Sequence, residues 1–564
     1  MKKCKLICES VFLILITSFT TSVNAGDFFS EILKDELKRE MGILSNQDPP
    51  VYHMNYRVDY IQKVTIRADF GHLSDEENDK YAVLTTDIRL GDIAFDNTHI
   101  SKGEPDQIRQ NSMIIPYDTN TLAVKQHIWR LTDDVYRKQR AIYLSKKNKI
   151  SVEETEKYND FTPGEGVQYF ESPLEFPIEQ KDLDNMIELM KEVSASFPEN
   201  TDMMNAVALF KFELVRKYFV SSEGHEIVQN YIQSNIIING VIRGPEGGPL
   251  VLTKVYHAKN PGDLPGKSVL IKDAGDLYNR LLALKEAPLA EPYSGPAILS
   301  EKASGVFFHE ILGHRVEGHR LKDETDSHTF KLKINEQVLP KSMNVVFNPL
   351  LKELNGVPLN GYYQYDDEGS PAEKVTVIQN GILKDFLMGN TPVPGYKSSN
   401  GHGRAQPGLS AVSRQSNLLV STTKPYSEED LRKMLIKECK KQRIPYGYYF
   451  KDVRGGFTNI KRFSPNAFNV YPTEVYRIYV DGREDELVRG VKLIGTPLAM
   501  FSNIKAAGDE IDIFNGTCGA ESGGVPVSAI SPAIYVSKIE TQKESQFYST
   551  GPVIGSPNED DQKK

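Results

Sequence analysis

The stretch Lys63-Val64-Thr65-Ile66-Arg67 alternates charged or polar side chains with aliphatic ones. Alternation with a period of two is typical of an antiparallel strand whose two faces differ in polarity. The pattern extends from Tyr52 to about Asp96, so we expect strands there with one face in water. Further β-type runs lie between Ala206 and Ile242, interrupted by Ser222-Glu223-Gly224. The sequence therefore predicts an antiparallel sheet in the N-terminal half.

Helical periodicity surrounds these strands. Apolar residues recur at three- and four-residue spacing in four segments, which predicts helices. The segments are residues 28–41, 119–151, 182–195 and 275–285. Sheet and helices together predict an α+β architecture that begins with a helix-flanked antiparallel sheet domain.

The C-terminal half is rich in predicted strands. Three dipeptides suit the tight turns of β-hairpins. They are Asn355-Gly356, Asn380-Gly381 and Asp481-Gly482. One amphipathic helix, residues 427–441, interrupts the strands. We expect a strand-rich C-terminal domain that also contains a helix around His309.

A chain of 564 residues is too long for a single compact core. Its 39% hydrophobic and 25% charged residues are typical of globular proteins. We expect an N-terminal α/β domain over residues 26–288 and a separate C-terminal domain over residues 289–556. A signal peptide, residues 1–25, would precede them, and a polar tail, residues 557–564, would follow.

The first residues have the layout of a cleaved secretory signal. Three lysines within the first five residues precede an apolar run, residues 11–16, and then Val23-Asn24-Ala25. The apolar run is too short to cross a bilayer, which needs about 18 or more apolar residues. We therefore expect an exported protein, periplasmic or secreted, with no membrane span. An uncleaved membrane anchor is the alternative.

The charge of the chain argues against nucleic acid as a partner. The formal net charge is −9, and removal of the signal would change it to about −11. An acidic chain repels phosphate backbones. Of the four cysteines, only Cys439 and Cys518 lie beyond the signal. The fold is therefore not built on a disulfide scaffold.

The motif His309-Glu310-Ile311-Leu312-Gly313-His314 carries the chemistry of a zinc hydrolase, two imidazoles and a carboxylate. Zinc-binding helices usually separate their histidines by four positions. Five positions place the two side chains about 140° apart around a helix, nearly on opposite faces. Gly313 permits a bulge or helix break that brings the second imidazole back. We predict His309 and His314 as ligands of Zn²⁺, with Glu310 as the base that activates water.

A catalytic zinc ion takes three protein ligands and keeps one position open. Cys518 is the candidate for the third ligand, because the glycines of Asn515-Gly516-Thr517-Cys518-Gly519-Ala520 allow a close approach. Cys439 follows Leu431 and Leu435 at helical spacing, as a core cysteine would. A disulfide between the two cysteines is the alternative that export permits.

Other polar residues near the motif have plainer interpretations. We expect His319 and His328 to be solvated histidines on a polar segment. Glu317 is either a further ligand or a surface charge.

These residues together resemble the TldD/PmbA family of metallopeptidases, long labelled modulators of DNA gyrase. The matching motifs follow the family order over roughly residues 290–540. They are Tyr293-Ser294-Gly295-Pro296, His309-Glu310 with His314, Asp366-Asp367-Glu368-Gly369, Asn380-Gly381, Asn400-Gly401-His402-Gly403-Arg404 and Gly516-Thr517-Cys518-Gly519. The resemblance implies zinc on His309, His314 and Cys518, with Glu310 as general base. It also implies a homodimer, or a heterodimer with a related subunit.

The resemblance places the Gly-rich loop of His402 and Arg404 near the cleft, where a cation would meet a peptide carboxylate or carbonyl. The alternative is a solvated turn. Asp366 and Glu368 are candidates for carboxylates that orient the zinc-binding histidines, or they form a turn with exposed charge.

The predicted function is zinc-dependent hydrolysis of peptide bonds, and the resemblance implies small or unfolded polypeptides as the substrates. One alternative is a non-catalytic subunit or peptide-binding module of a TldD/PmbA-like complex, whose metal is structural. Another is a redox or metal-storage protein centred on Cys518.

Overall fold

The structure is a computed structural model of the chain. It describes residues 28–100, 110–118, 120–149, 159–198, 202–322, 326, 328–393, 395–396, 398–461 and 468–543. The predicted signal peptide and polar tail lie outside the described residues.

The described N-terminal residues form one seven-stranded sheet. Its strands are β1 (Val51–Asp69), β2 (His72–Leu90), β3 (Ser112–Ile115), β4 (Gln168–Phe170), β5 (Met203–Ser221), β6 (Glu226–Arg243) and β7 (Pro249–Ala258). The order is β3-β2-β1-β5-β6, and both β4 and β7 pair with β6. Strands β1, β2, β5 and β6 pair antiparallel, which confirms the predicted sheet.

Four helices cover one face of this sheet. They are α1 (Phe28–Leu44), α2 (Thr121–Lys147), α3 (Gln180–Ala195) and α4 (Lys267–Glu286). Helices α1 and α2 share a core with Val58 of β1, and α3 and α4 share a second core with Val64. Residues 58 and 64 point to the same side of the strand. The helices therefore lie on one side, and the other side is free to face the C-terminal domain.

The opposite face of the sheet is polar but not in water. Arg57 and Asp59 of β1 are 5% and 1% exposed. Arg57 donates a hydrogen bond to the carbonyl of Gln406 at 3.0 Å, and Lys217 of β5 forms an ion pair with Asp367 at 2.8 Å. The water-facing surface predicted for these strands is wrong here, because the C-terminal domain covers their polar side chains and pairs their charges.

The C-terminal half contains many short strands and three helices among its described residues. The strands are β8 (Tyr293–Leu299), β9 (Met343–Phe347), β10 (Glu353–Leu354), β11 (Val357–Pro358), β12 (Val375–Gln379), β13 (Ile382–Leu383), β14 (Gly403–Arg404), β15 (Val412–Ser413), β16 (Asn417–Thr422), β17 (Pro425–Tyr426), β18 (Tyr446–Thr458), β19 (Phe468–Tyr479), β20 (Glu486–Val488), β21 (Val491–Gly495), β22 (Ile504–Ala520) and β23 (Gly523–Lys543). The helices are α5 (Glu301–Ile311), α6 (Glu428–Gln442) and α7 (Pro497–Asn503).

The predicted hairpin turns are present. Asn355-Gly356 joins β10 to β11, and Asn380-Gly381 joins β12 to β13. All four of these residues have positive φ, between 49° and 78°, as a two-residue hairpin turn requires. Asp481-Gly482 lies in a longer connection between the antiparallel strands β19 and β20.

The larger C-terminal sheet closes on itself. The pairs β23–β21, β21–β19, β19–β18, β18–β8 and β8–β23 form a ring of strands. Helix α5 follows β8 and packs against β23, β18 and β22. Three consecutive buried aromatic or aliphatic side chains, residues 306–308, fix the helix in this core. The sheet thereby holds the helix that carries the metal-binding motif.

Of the helices within the described parts of the chain, none combines the length and apolar character needed to cross a membrane.

Candidate metal centre

Local contacts explain where α5, the helix that carries His309, begins and ends. The Ser300 hydroxyl accepts a hydrogen bond from the N–H of Ala303 at 3.2 Å, which caps the N-terminus of α5. The helix ends at Ile311, and a 3₁₀ turn follows over Gly313–Arg315. A Cβ at Gly313 would lie 1.8 Å from Oε1 of Gln415, so a glycine is required for this close approach. The backbone thus leaves the α-helix between the two histidines, at the predicted break.

The structure brings His309, His314 and Cys518 together. One ligand atom from each lies within 4.8 Å of the others. Sγ of Cys518 is 3.5 Å from Nε2 of His314, and the two imidazole rings are nearly perpendicular, with centroids 5.1 Å apart. A nitrogen and a sulfur bound tetrahedrally to one zinc ion would lie roughly 3.6 Å apart, given bond lengths near 2.1 and 2.3 Å. The donor set therefore fits zinc.

Cys518 reaches the histidines on the hairpin of β22 and β23, opposite Val525. Arg414, fully buried, donates hydrogen bonds to the carbonyl of Cys518 at 2.5 Å and to the hydroxyl of Ser522 at 2.8 Å. This guanidinium fixes the end of the hairpin. Cys439 lies in a separate core cluster on α6, and both thiols are free, so the alternative disulfide is wrong.

Electrostatics favour an anionic sulfur. Burial alone would raise the pKa of Cys518, but His314 and His309 lower it well below the ordinary thiol value. Burial alone would likewise lower the pKa of His314, but the charges of Cys518 and Glu317 raise it well above the ordinary value. The thiolate is the form of cysteine that binds metal.

Two further side chains hold the histidines in place. Oε2 of Glu317 lies 3.3 Å from Nδ1 of His314, and Gln415 donates a hydrogen bond to the carbonyl of His309 at 3.3 Å. Glu317 is fully buried and forms an ion pair with Arg320 at 2.6 Å. The interpretation of Glu317 as a surface charge is therefore wrong. It orients a histidine instead, a role that usually fixes the imidazole tautomer.

Glu310 follows His309 on α5, interacts electrostatically with all three donor residues and is largely buried. Burial raises its pKa above the ordinary carboxyl value, although the neighbouring histidines oppose this shift. A Cβ at Gly456 of β18 would lie 2.4 Å from Cγ of Glu310. The side chain of Glu310 is therefore pressed against the backbone of β18. Arg315 donates a hydrogen bond to the carbonyl of Glu310 at 2.6 Å, which ties this residue to the following turn.

Asp366 and Glu368, predicted as partners of the histidines, make other contacts. The Asp366 carboxylate accepts hydrogen bonds from the N–H groups of Gly403, Ser370 and Glu368. Glu368 accepts one from the N–H of Asn390 at 2.7 Å. The two carboxylates brace their own turn and the neighbouring loops. The contacts that orient the histidines come from Glu317 and Gln415.

His402 and Arg404 are buried, so the solvated-turn alternative is wrong for both. His402 lies between Asn400 and Ser416, and burial lowers its pKa to about 3, which makes it neutral rather than cationic. Arg404 stacks over the ring of Tyr363, with its guanidinium carbon 4.7 Å from the ring centroid. Arg404 is therefore the cation of the two. It lines a cavity between the N-terminal sheet and the C-terminal domain.

The histidines downstream of the motif also differ from expectation. His319 is 6% exposed, and burial lowers its pKa to about 4. The prediction of a solvated histidine is wrong there, because the 3₁₀ turn Gly318–Leu321 packs into the C-terminal domain. His328 lies with Nε2 2.9 Å from the carbonyl of Arg320, so it belongs to the same packed segment.

Sequence reasoning missed Arg414 and Gln415. Both belong to the run Ser413-Arg414-Gln415-Ser416-Asn417, and all five residues are buried. Five consecutive polar residues normally indicate an exposed loop. The run carries no local signal of burial, because its partners lie on α5, Glu317 and the hairpin of β22 and β23.

The site combines a His-Glu pair on a helix, a second histidine on the following turn and a cysteine on a hairpin. This combination places the protein in the class with a metallopeptidase-like site. Residues 292–543 match the model of the PmbA/TldA metallopeptidase C-terminal domain. Residues 292–543 are therefore similar to the C-terminal domain of the TldD/PmbA family.

Individual proteins agree with this family. A metalloprotease of Archaeoglobus fulgidus is 28% identical over 394 residues, which cover 67% of this chain and 83% of that protein. A zinc metalloprotease TldD homolog of Saccharolobus solfataricus is 24% identical over 340 residues, 58% of this chain and 69% of that protein. The crystal structure of TldE from Thermococcus kodakarensis shares the fold, with a TM-score of 0.59 and 14% identity over 92% of this chain and all of that one.

Proposed function

We propose that the chain is a zinc-dependent peptidase that hydrolyses small or unfolded polypeptides, with Glu310 as its general base. The observation that carries the proposal is the gathering of three donor atoms within 4.8 Å, beside a buried carboxylate. The relatives from Archaeoglobus fulgidus and Saccharolobus solfataricus are also named metalloproteases.

His309, His314 and Cys518 would hold the metal. A bound zinc ion supplies Lewis acidity, which polarises a peptide carbonyl and acidifies a bound water. Glu310 takes the proton of the attacking water and delivers it to the leaving amine. His309 is more exposed than the other two ligands, so the substrate approaches from its side. Glu317 and Gln415 keep the imidazoles aligned throughout.

Three protein ligands favour a catalytic over a structural metal. A structural zinc site is usually closed by four protein ligands, whereas a catalytic site keeps one position open. Among the described residues, the cluster of potential ligands consists of these three. This argues against a non-catalytic subunit with a structural metal.

The test is mass spectrometry of a pool of unstructured peptides incubated with zinc-loaded protein. The matched control is Glu310→Gln, purified and loaded identically. We expect fragments from the parent alone, because the amide cannot accept the proton. Equal cleavage by both proteins would contradict the role of Glu310, and no cleavage by either would favour a binding subunit.

We also propose export, to the periplasm or outside the cell, because residues 1–25 have the layout of a cleaved signal. Intact-mass measurement of the protein recovered from its host tests this. A mature chain that starts at residue 26 is expected, and a full-length chain retained in the cytoplasm would contradict it.

A further proposal is that the active form is a dimer, either of two copies or with a related subunit. Support comes from the family resemblance of the motifs. Light scattering on the purified chain should give twice the monomer mass for a homodimer. A monomer that becomes active only with a related subunit would indicate the heterodimer.

A further inference from the structure

A cavity of about 300 Å³ lies between the polar face of the N-terminal sheet and the C-terminal domain. This volume is typical of sites for small ligands or side chains. Strands β5 and β6 contribute Glu213, Lys217 and Tyr231, and the C-terminal domain contributes Tyr362, Arg404 and Thr517. Both domains therefore build the cavity, and neither closes it alone.

The cavity is a neighbour of the metal centre. Thr517, which lines it, directly precedes Cys518 on β22. Side chains alternate along a strand, so the cavity and the ligand cluster lie on opposite faces of the same hairpin. The cavity therefore borders the strand that carries the third ligand.

Most charges that line the cavity are already engaged. Lys217 forms its ion pair with Asp367, and Arg404 donates a hydrogen bond to the carbonyl of Gln415 at 2.6 Å. Glu171 accepts hydrogen bonds from a tyrosine hydroxyl at 2.9 Å and from a backbone N–H at 2.7 Å. Each of these charged groups therefore has at least one partner within the protein.

Glu213 is the exception. Among the described residues, none forms a hydrogen bond or an ion pair with its carboxylate. Lys63, its partner across the strands, is held by Glu77 at 3.0 Å and by Asp79 at 3.2 Å. Burial also raises the pKa of Glu213 above its ordinary value. The Glu213 side chain is half-buried, so its carboxylate has lost part of its hydration without gaining a hydrogen-bond partner, and a cationic ligand would stabilise it.

We propose that this cavity is a subsite for a lysine or arginine side chain of the peptide substrate, with Glu213 as the counter-charge. The inference rests on the proposed peptidase function. Carboxylates outnumber the cations in the lining, which favours a positive ligand. The rings of Tyr231 and Tyr362 offer apolar surface for the aliphatic stem. Lys352 already lies over the ring of Tyr362, 5.2 Å from its centroid, so the Tyr231 ring is the one we assign to the charged end.

The test measures binding without cleavage, in the Glu310→Gln protein loaded with zinc. The probes are fluorescent ten-residue peptides of Gly, Ala and Ser with blocked ends, each with one lysine or one norleucine at a chosen position. We expect the lysine peptide to bind about tenfold more tightly at one or two positions, the effect of one charge-assisted contact. Adding Glu213→Gln should reduce the ratio of the two dissociation constants to about one.

Glu171→Gln is the matched control, because it removes the same charge from the same cavity at a carboxylate that is already engaged. It should keep most of the lysine preference, and thermal unfolding should show that both variants fold. Equal binding of lysine and norleucine peptides at every position would overturn the subsite. Loss of the lysine preference in both variants would also overturn the subsite, because it would show that only the overall negative potential of the cavity attracts lysine.

The two proposals fail separately. If lysine peptides bind preferentially but the zinc-loaded parent cleaves nothing, the proposed peptidase function is contradicted and the proposed subsite is supported. Cleavage that is indifferent to lysine at every position would overturn the subsite and leave the peptidase standing.

Discussion

Sγ of Cys518 lies 3.5 Å from Nε2 of His314, although 204 residues separate the two along the chain. One residue is on a turn after the central helix, and the other is on a hairpin of the surrounding sheet. The contact forms only when the sheet has closed around the helix. Metal binding at this place is therefore linked to the folding of the whole C-terminal domain.

Cys518→Ser should weaken zinc binding by about 100-fold or more, because loss of a direct ligand costs more than loss of a residue that only orients a ligand. Cys439→Ser is the matched control, because burial raises the pKa of Cys439 to about 12 and its side chain packs in another core cluster. Metal analysis after dialysis against a weak chelator measures both. Equal zinc retention by the two variants would remove Cys518 from the site.

Glu317→Gln should lower both zinc affinity and stability. The substitution takes the carboxylate from His314, which we expect to cost roughly 10–100-fold in zinc affinity. It also leaves the buried guanidinium of Arg320 with one partner fewer, at a cost of about 3 kcal/mol in the free energy of unfolding. Competition titration with a chromogenic chelator and urea unfolding of the metal-free protein measure the two effects.

Glu521→Gln separates these effects. Glu521 also pairs with Arg320 through two oxygens, at 2.5 and 2.8 Å, but its contacts do not include His314. The Glu521→Gln substitution should lower the free energy of unfolding by only ~1 kcal/mol, because this carboxylate is partly exposed. Zinc affinity should be close to that of the parent. A similar loss of zinc affinity in both variants would assign the effect of Glu317 to stability alone.

The sequence predicted the groups at the metal centre because their signals are local. Two histidines, a glutamate and a glycine stand within six residues, and the glycine explains how an unusual spacing can still converge. The cysteine was predicted from its glycine flanks. The structure brings all three proposed ligands to one place.

The supporting residues could not be predicted in the same way. Arg414 and Gln415 are polar, and only contacts with distant segments bury them. The same reason applies to Arg57 and Asp59, whose alternation with apolar residues indicates a water-facing surface. The C-terminal domain covers that surface. A sequence pattern shows which side chains are polar, but it does not show whether water or another part of the protein contacts them.

Gly456→Ala should reduce peptide cleavage at least about tenfold while zinc is retained. The added Cβ would lie 2.4 Å from Cγ of Glu310, so the carboxylate has to move from its place beside the donors. A displacement of about 1 Å at a reacting group can cost on the order of 100-fold in rate. Cleavage rate and zinc content are measured on the same samples.

Gly275→Ala is the control for the glycine substitution. Gly275 lies on α4 with nothing within 4 Å of an added Cβ. Alanine is the better helix former by roughly 0.8–1 kcal/mol, so this variant should be slightly more stable and unchanged in cleavage. Normal cleavage by Gly456→Ala would show that Glu310 does not depend on this contact.

The last prediction concerns stability against pH. Burial, aided by the charge of Arg404, lowers the pKa of His402 to about 3 in the folded protein, whereas an unfolded histidine titrates near 6.5. Below pH 6.5 the unfolded chain therefore binds a proton that the folded chain refuses, and stability falls as the pH decreases toward 3. Between pH 7 and pH 5 this one residue should cost about 2 kcal/mol in the free energy of unfolding.

Urea unfolding of His402→Gln and of Ser416→Ala at both pH values isolates this effect. The glutamine variant lacks the titrating group. Between pH 7 and pH 5 it should therefore lose about 2 kcal/mol less free energy of unfolding than the parent. Ser416→Ala removes only the hydroxyl 3.1 Å from Nε2 of His402 and keeps the histidine buried, so its loss should match the parent. If His402→Gln and the parent lose equal stability over this range, His402 is not the group responsible. The remaining slope would then come from other buried histidines, of which His319, with a pKa of about 4, is the first to examine.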